Sequence, residues 1–140
     1  MTVATNKAIA EAMVRSLATG GFGSVEFSPD FWAWTLTSGW LERSEFLRRV
    51  GLFSAVFEDS ATIAVDTVTG DEDRVVVQFR VVGTLLTGAV YRQTAAFMVE
   101  FDARGRVRHW REYFDARIVA ELLLPAMKAL DERRADQRGR

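Results

Sequence analysis

The sequence predicts an α+β fold, and three observations carry that prediction. Two stretches with helical spacing come first, about 6–18 and 44–57. A run of period-2 segments then fills 61–114, broken by short polar turns. Helical spacing returns at 116–134. Helices followed by a run of strands is the α+β pattern, and strands joined by short turns make a twisted antiparallel sheet.

In the first helix the apolar residues Ile9, Ala10, Met13, Val14 and Leu17 form one stripe. Thr5 or Asn6 is placed to cap it, and Gly20-Gly21 ends it. After Pro29-Asp30, the segment Phe31 to Leu36 reads as a short strand with Trp32, Trp34 and Leu36 on one face. Two tryptophans on one strand face are either core or the wall of an apolar ligand pocket. Phe46, Leu47, Val50, Phe53 and Phe57 form the stripe of the second helix, with Arg43, Arg48 and Arg49 read as its solvated face.

The strands are 61–68, 74–84, 89–101 and 107–114. The turns between them hold Thr69-Gly70-Asp71, Thr87-Gly88 and Asp102-Ala103-Arg104-Gly105. In the second of these strands Val75, Val77, Phe79 and Val81 alternate with Gln78, Arg80 and Val82. If one face of the sheet is buried on the N-terminal helices, the face of Val75 to Val81 needs a cover of its own, and a partner subunit is the natural one. Pro125 must kink or divide the last helix. The expected organisation is one domain over 1–132 with a polar tail at 133–140.

Composition excludes several classes of function. The 140 residues are 49% hydrophobic, enough for one core. A net charge of -1 offers no field for a nucleic-acid backbone. With no cysteine and one histidine, disulfides, thiolate chemistry and the usual zinc sites fall away, so neither metal nor other cofactor is expected. No apolar run reaches the roughly 20 residues that span a bilayer, and no signal peptide is legible, so the expected location is the cytoplasm.

The most informative stretch is Gly105-Arg106-Val107-Arg108-His109-Trp110-Arg111-Glu112-Tyr113-Phe114-Asp115. It leaves a hairpin and places the acid Glu112 two residues from Trp110, on the same strand face. His109 alternates to the other face, and Asp115 is placed to cap the following helix.

This stretch, with the order of elements, resembles the SnoaL-like branch of the nuclear transport factor 2 superfamily. That superfamily holds ketosteroid isomerases, scytalone dehydratase, polyketide cyclases and limonene-1,2-epoxide hydrolase. The resemblance implies a cone: a curved antiparallel sheet wrapped around helices, with a deep apolar pocket and homodimers formed through the sheet's outer face. The ending is most similar to that of the epoxide hydrolase, which uses two aspartates bridged by an arginine. Carried over residue by residue, one aspartate falls on Glu112, while the other two positions fall on Gln78 and Arg80. The second carboxylate is therefore missing. The residues that hold the water in that family fall near Trp32 and Trp34.

On this alignment Gln78, Arg80, Gln93, Trp110 and Glu112 point into the cone, and Trp32 and Trp34 lie near its wall. Glu112 and Arg80 are the candidate catalytic pair. The arginine would hold the carboxylate ionised as a base or clamp, or the two would form a buried structural ion pair. The candidate substrate-binding residues are Trp32, Trp34, Gln78, Gln93 and Trp110. Three functions follow. One is a cofactor-independent isomerase, cyclase, dehydratase or hydrolase acting on a small apolar molecule. Another is a non-catalytic ligand-binding or interaction module. The third is an epoxide hydrolase with a substitute acid, from Glu121 or from a partner.

Overall fold

The computed structural model describes residues 2–139. Its elements are α1 (Val3–Ser16), β1 (Phe27–Thr35), β2 (Gly39–Leu41), α2 (Arg43–Ala55), β3 (Thr62–Gly70), β4 (Arg74–Thr84), β5 (Val90–Phe101) and β6 (Val107–Phe114). After β6 come the short helix α3 (Ala116–Ile118), a π-helical turn (Val119–Leu123) and α4 (Leu124–Arg138). The six strands form one sheet in the order β2-β1-β6-β5-β4-β3. The α+β class and the meander from β3 to β6 are as the sequence predicts. β1 differs, because it runs parallel to β6. The short strand β2, which the sequence reading lacked, pairs antiparallel on the outer side of β1.

Curvature comes from irregular pairing. The register slips between Phe27 and Trp32 in β1, around Pro29, and between Val65 and Thr67 in β3. An unpaired residue bends its strand and sharpens its twist, and the sheet curls over α1 and α2. Two faces result. The inner face buries Phe31 and Ala33 of β1, Val75, Val77, Phe79 and Val81 of β4, Ala95, Phe97 and Val99 of β5, and Trp110 of β6, against Met13 and Val14 of α1 and Phe46 and Val50 of α2.

That corrects the expectation of a spare apolar face. The face of Val75 to Val81 is the one the helices cover, and Gln78 and Arg80 belong to the outside. Strand alternation says which residues share a face. It does not say which face is inside.

The ends of the helices show how local chemistry sets their bounds. Thr2 caps α1, its hydroxyl accepting from the Thr5 N–H at 3.1 Å. Asn6, expected as a cap, is instead buried inside the helix and donates to the Glu72 carbonyl at 2.8 Å. Gly20 turns the chain at φ +89°, where a Cβ would lie 2.5 Å from Ser54 Oγ. Asp115 caps α3, accepting from the N–H groups of Arg117 and Ile118. The π-helical turn falls just before Pro125, which has no N–H to continue the α-helical ladder. α4 then continues through Arg138, so residues 133–138 are helical. No helix among the described residues is long and apolar enough to cross a membrane.

Candidate functional site

The site is built on the inner face of β6. Trp110 is fully buried, its rings 5.4 Å from each of Phe22, Phe46 and Phe97. Two residues on, Glu112 points the same way, and Trp110 Nε1 donates to its carboxylate at 2.8 Å. The indole is thus both a core anchor and the partner that orients the acid.

Glu112 borders a cavity of about 100 Å³ lined by the sheet, α2 and the C-terminal helices. It is half-buried because it faces that space, and the surrounding protein still desolvates its carboxylate. Desolvation pushes its pKa up to about 7 from an ordinary 4.5. The Trp110 hydrogen bond and the charge of Arg49 pull in the opposite direction and lose.

The rest of the cavity is mainly apolar. Phe79, Val81 and Phe97 form the sheet wall, and Val119, Leu123, Leu124 and Met127 form a roof from the C-terminal helices. Polar groups are few. Thr35, Ser38 and Arg49 stand at one end, where Arg49 donates to Ser38 Oγ and to Glu45. Tyr91 and Gln93 stand on β5. Among the lining residues Glu112 is the one carboxylate, and no group of acids and histidines among the described residues is arranged to hold a metal ion.

No family model matches the chain, and no curated protein does. Solved structures do match. A putative hydroxylase, AclR from Streptomyces galilaeus, is 18% identical over 91% of this chain and 98% of its own, with a TM-score of 0.71. A putative SnoaL-like polyketide cyclase from Jannaschia sp. CCS1 is 18% identical over 84% of this chain and 90% of its own, at 0.69. IdmH, a putative polyketide cyclase from Streptomyces antibioticus, is 17% identical over 84% of this chain and 97% of its own, at 0.67. The chain has the SnoaL-like, nuclear transport factor 2-like fold.

Within this SnoaL-like cone the residues expected at the site divide into two groups. Glu112, Trp110 and Gln93 come together on the inner face, with Glu112 and Gln93 on the cavity and Trp110 behind Glu112. Arg80, Gln78, Trp32 and Trp34 are on the outer face, and the expected Arg80–Glu112 pair does not form. Arg80 is 57% exposed at its side chain and pairs with Asp66 at 2.9 Å. Gln78 is exposed and bonds the Thr67 hydroxyl.

The reason is register. Val81 pairs with Gln93 and Arg80 with Thr94, so Arg80 and Gln93 cannot share a face. Trp32 stacks on His109 with ring centroids 3.7 Å apart, and Arg111 lies 5.0 Å over it. Trp34 meets Tyr113 at 5.5 Å. Because Trp32 pairs with His109 across the β1–β6 ladder, the tryptophans follow His109 outward. His109, read as facing away from Glu112, does so and pairs with Glu100.

The arginine near Glu112 is Arg49 of α2. It lies three residues after Phe46 and four before Phe53, on the buried stripe, so the spacing carried the signal. Tyr91 was legible in the same way, two residues before Gln93 on one strand face.

Proposed function

We propose that this SnoaL-like protein binds a small, mostly apolar molecule in the cone cavity and moves a proton on it with Glu112. It would act as a cofactor-independent isomerase, cyclase or dehydratase. The observation that carries this reading is the carboxyl group of Glu112, desolvated against an apolar cavity, oriented by Trp110 and raised to about 7. A group poised there is divided between acid and base near neutral pH, which is the condition for efficient proton transfer. The polyketide cyclases of the same fold support an apolar, oxygenated substrate class.

The test is a thermal-shift screen against terpenoid, steroid and polyketide-like compounds, followed by turnover of whichever compound stabilises the protein. Glu112→Gln is expected to keep binding and lose turnover; an unchanged rate would refute the role.

A second reading, binding without catalysis, is favoured by the single carboxylate in the cavity. Under it, Glu112→Gln changes affinity alone. Epoxide hydrolysis with Glu121 as substitute acid loses ground, because Glu121 pairs with Arg117 at the surface and does not border the cavity. A homodimer in the cytoplasm, formed through the outer sheet face, belongs to the same proposal. It would cover Trp40, Val82 and Tyr113, which are 61%, 38% and 42% exposed, and sedimentation would detect it.

A further inference from the structure

Tyr91 is the buried titratable group that the acid–base reading leaves without a task. It stands on β5, 2% exposed, with its ring edge-on to Phe57 at a centroid distance of 6.0 Å, and it borders the cavity with Glu112. Burial pushes its phenol up to about 12, and the charges of Glu112 and Asp115 act in the same direction. Tyr91 therefore keeps its proton at any physiological pH.

The direction of that proton follows from Gln93. The Gln93 side chain is fixed at both ends by one backbone unit. Its Nε2 donates to the Asp115 carbonyl at 3.1 Å, and its Oε1 accepts from the Asp115 N–H at 3.0 Å. Only this orientation of the amide satisfies both groups. The same Nε2 is 3.4 Å from the Tyr91 hydroxyl, so the phenol oxygen faces a donor and accepts. Its own hydrogen has no acceptor among the described residues, and Tyr91 is one of the residues that line the cavity.

We propose that Tyr91 donates the hydrogen bond that holds an oxygen of the substrate, with Gln93 as its positioning residue. The substrate class is then narrowed to apolar compounds that carry a hydrogen-bond-accepting oxygen, such as a carbonyl or ether. A pure hydrocarbon of the same shape would leave a buried hydroxyl proton unpaired, which costs binding. The proposal rests on the cavity being a ligand site, and it is independent of whether Glu112 catalyses.

The probe is cyclohexanone labelled with ¹³C at the carbonyl, beside methylenecyclohexane, its hydrocarbon counterpart. Difference infrared spectroscopy reads the bound carbonyl stretch, and titration reads affinity. Wild type is expected to bind the ketone with its carbonyl band below the position found in an apolar solvent. In Tyr91→Phe the band returns to that position and affinity falls roughly five- to tenfold, the loss of one neutral hydrogen bond. Gln93→Leu should leave the ketone bound but broaden the band and move it part of the way back.

Arg80→Ala, which changes only the outer face, should leave the band where it is. An unshifted band in wild type overturns the assignment, even if Tyr91→Phe fails to fold, and so does a shift that survives Tyr91→Phe. Binding of the hydrocarbon alone overturns it while sparing the cavity. Binding of neither probe removes the ligand site beneath both proposals.

Discussion

The two faces of β6 place similar residues in opposite surroundings. Inward, Trp110 is sealed among phenylalanines and gives its N–H to Glu112, whose carboxyl is desolvated by the protein around it. Outward, Trp32 and Trp40 lie against His109 and Arg111, with Trp40 61% exposed. Both faces hold indoles beside ionisable groups. On the inner face desolvation sets the chemistry, because the charge has nowhere to go. On the outer face the ionisable groups have partners of their own, His109 with Glu100 and Arg111 over the Trp32 ring. A tryptophan beside a charged residue therefore says little about a site until the side of the sheet is known.

The largest expected effect tests this directly. Trp110→Ala removes a fully buried ring and should cost about 3–5 kcal/mol of stability, while Trp40→Ala on the outer face should change it by about 0.5 kcal/mol or less. Urea unfolding of the two variants checks the contrast. A costly Trp40→Ala in the monomer would mean that the outer cluster is a second core.

The next effect is in pH dependence. The folded state holds the Glu112 proton up to about pH 7, whereas the unfolded chain releases it near 4.5. Between those values the native state binds more protons, so stability is highest at the acid end of the window and falls as pH rises through it. The loss is at most about 3 kcal/mol, and less in proportion as cavity water reaches the carboxylate. Glu112→Gln should flatten this slope and stabilise the protein at pH 8. Unfolding midpoints at pH 5, 6, 7 and 8 provide the measurement, and a wild-type slope unaltered by Glu112→Gln would show that another group is responsible.

What the sequence revealed follows the same division. Periodicity located the helices and the four strands of the meander, because those patterns depend on neighbours along the chain. The pairing of Trp110 with Glu112 was legible because they are two residues apart on one strand. The site's other side was not, because it depends on how strands meet. Aligned with the Thr87-Gly88 turn, Arg80 looks as inward as Gln93. The ladder pairs it with Thr94, and the Asp66 bulge brings a carboxylate to it on the outside. The parallel pairing of β1 with β6 likewise has no local signature, and it decides that Trp32 and Trp34 stand beside His109 and Tyr113.

The smallest expected effect contrasts two arginines. Arg49 is the cation whose charge reaches Glu112 and opposes its desolvation. Removing it in Arg49→Ala should move the Glu112 titration upward, since one of the two influences that lower it is gone. Arg80→Ala should leave that titration where it is, because its guanidinium faces solvent across the sheet and its partner is Asp66. Carbon-13 chemical shifts of the Glu112 carboxyl, followed through pH in both variants, separate the two. If Arg80→Ala moved the midpoint and Arg49→Ala did not, the register that puts Arg80 outside would be wrong, and the arginine–carboxylate pair expected from the sequence would return.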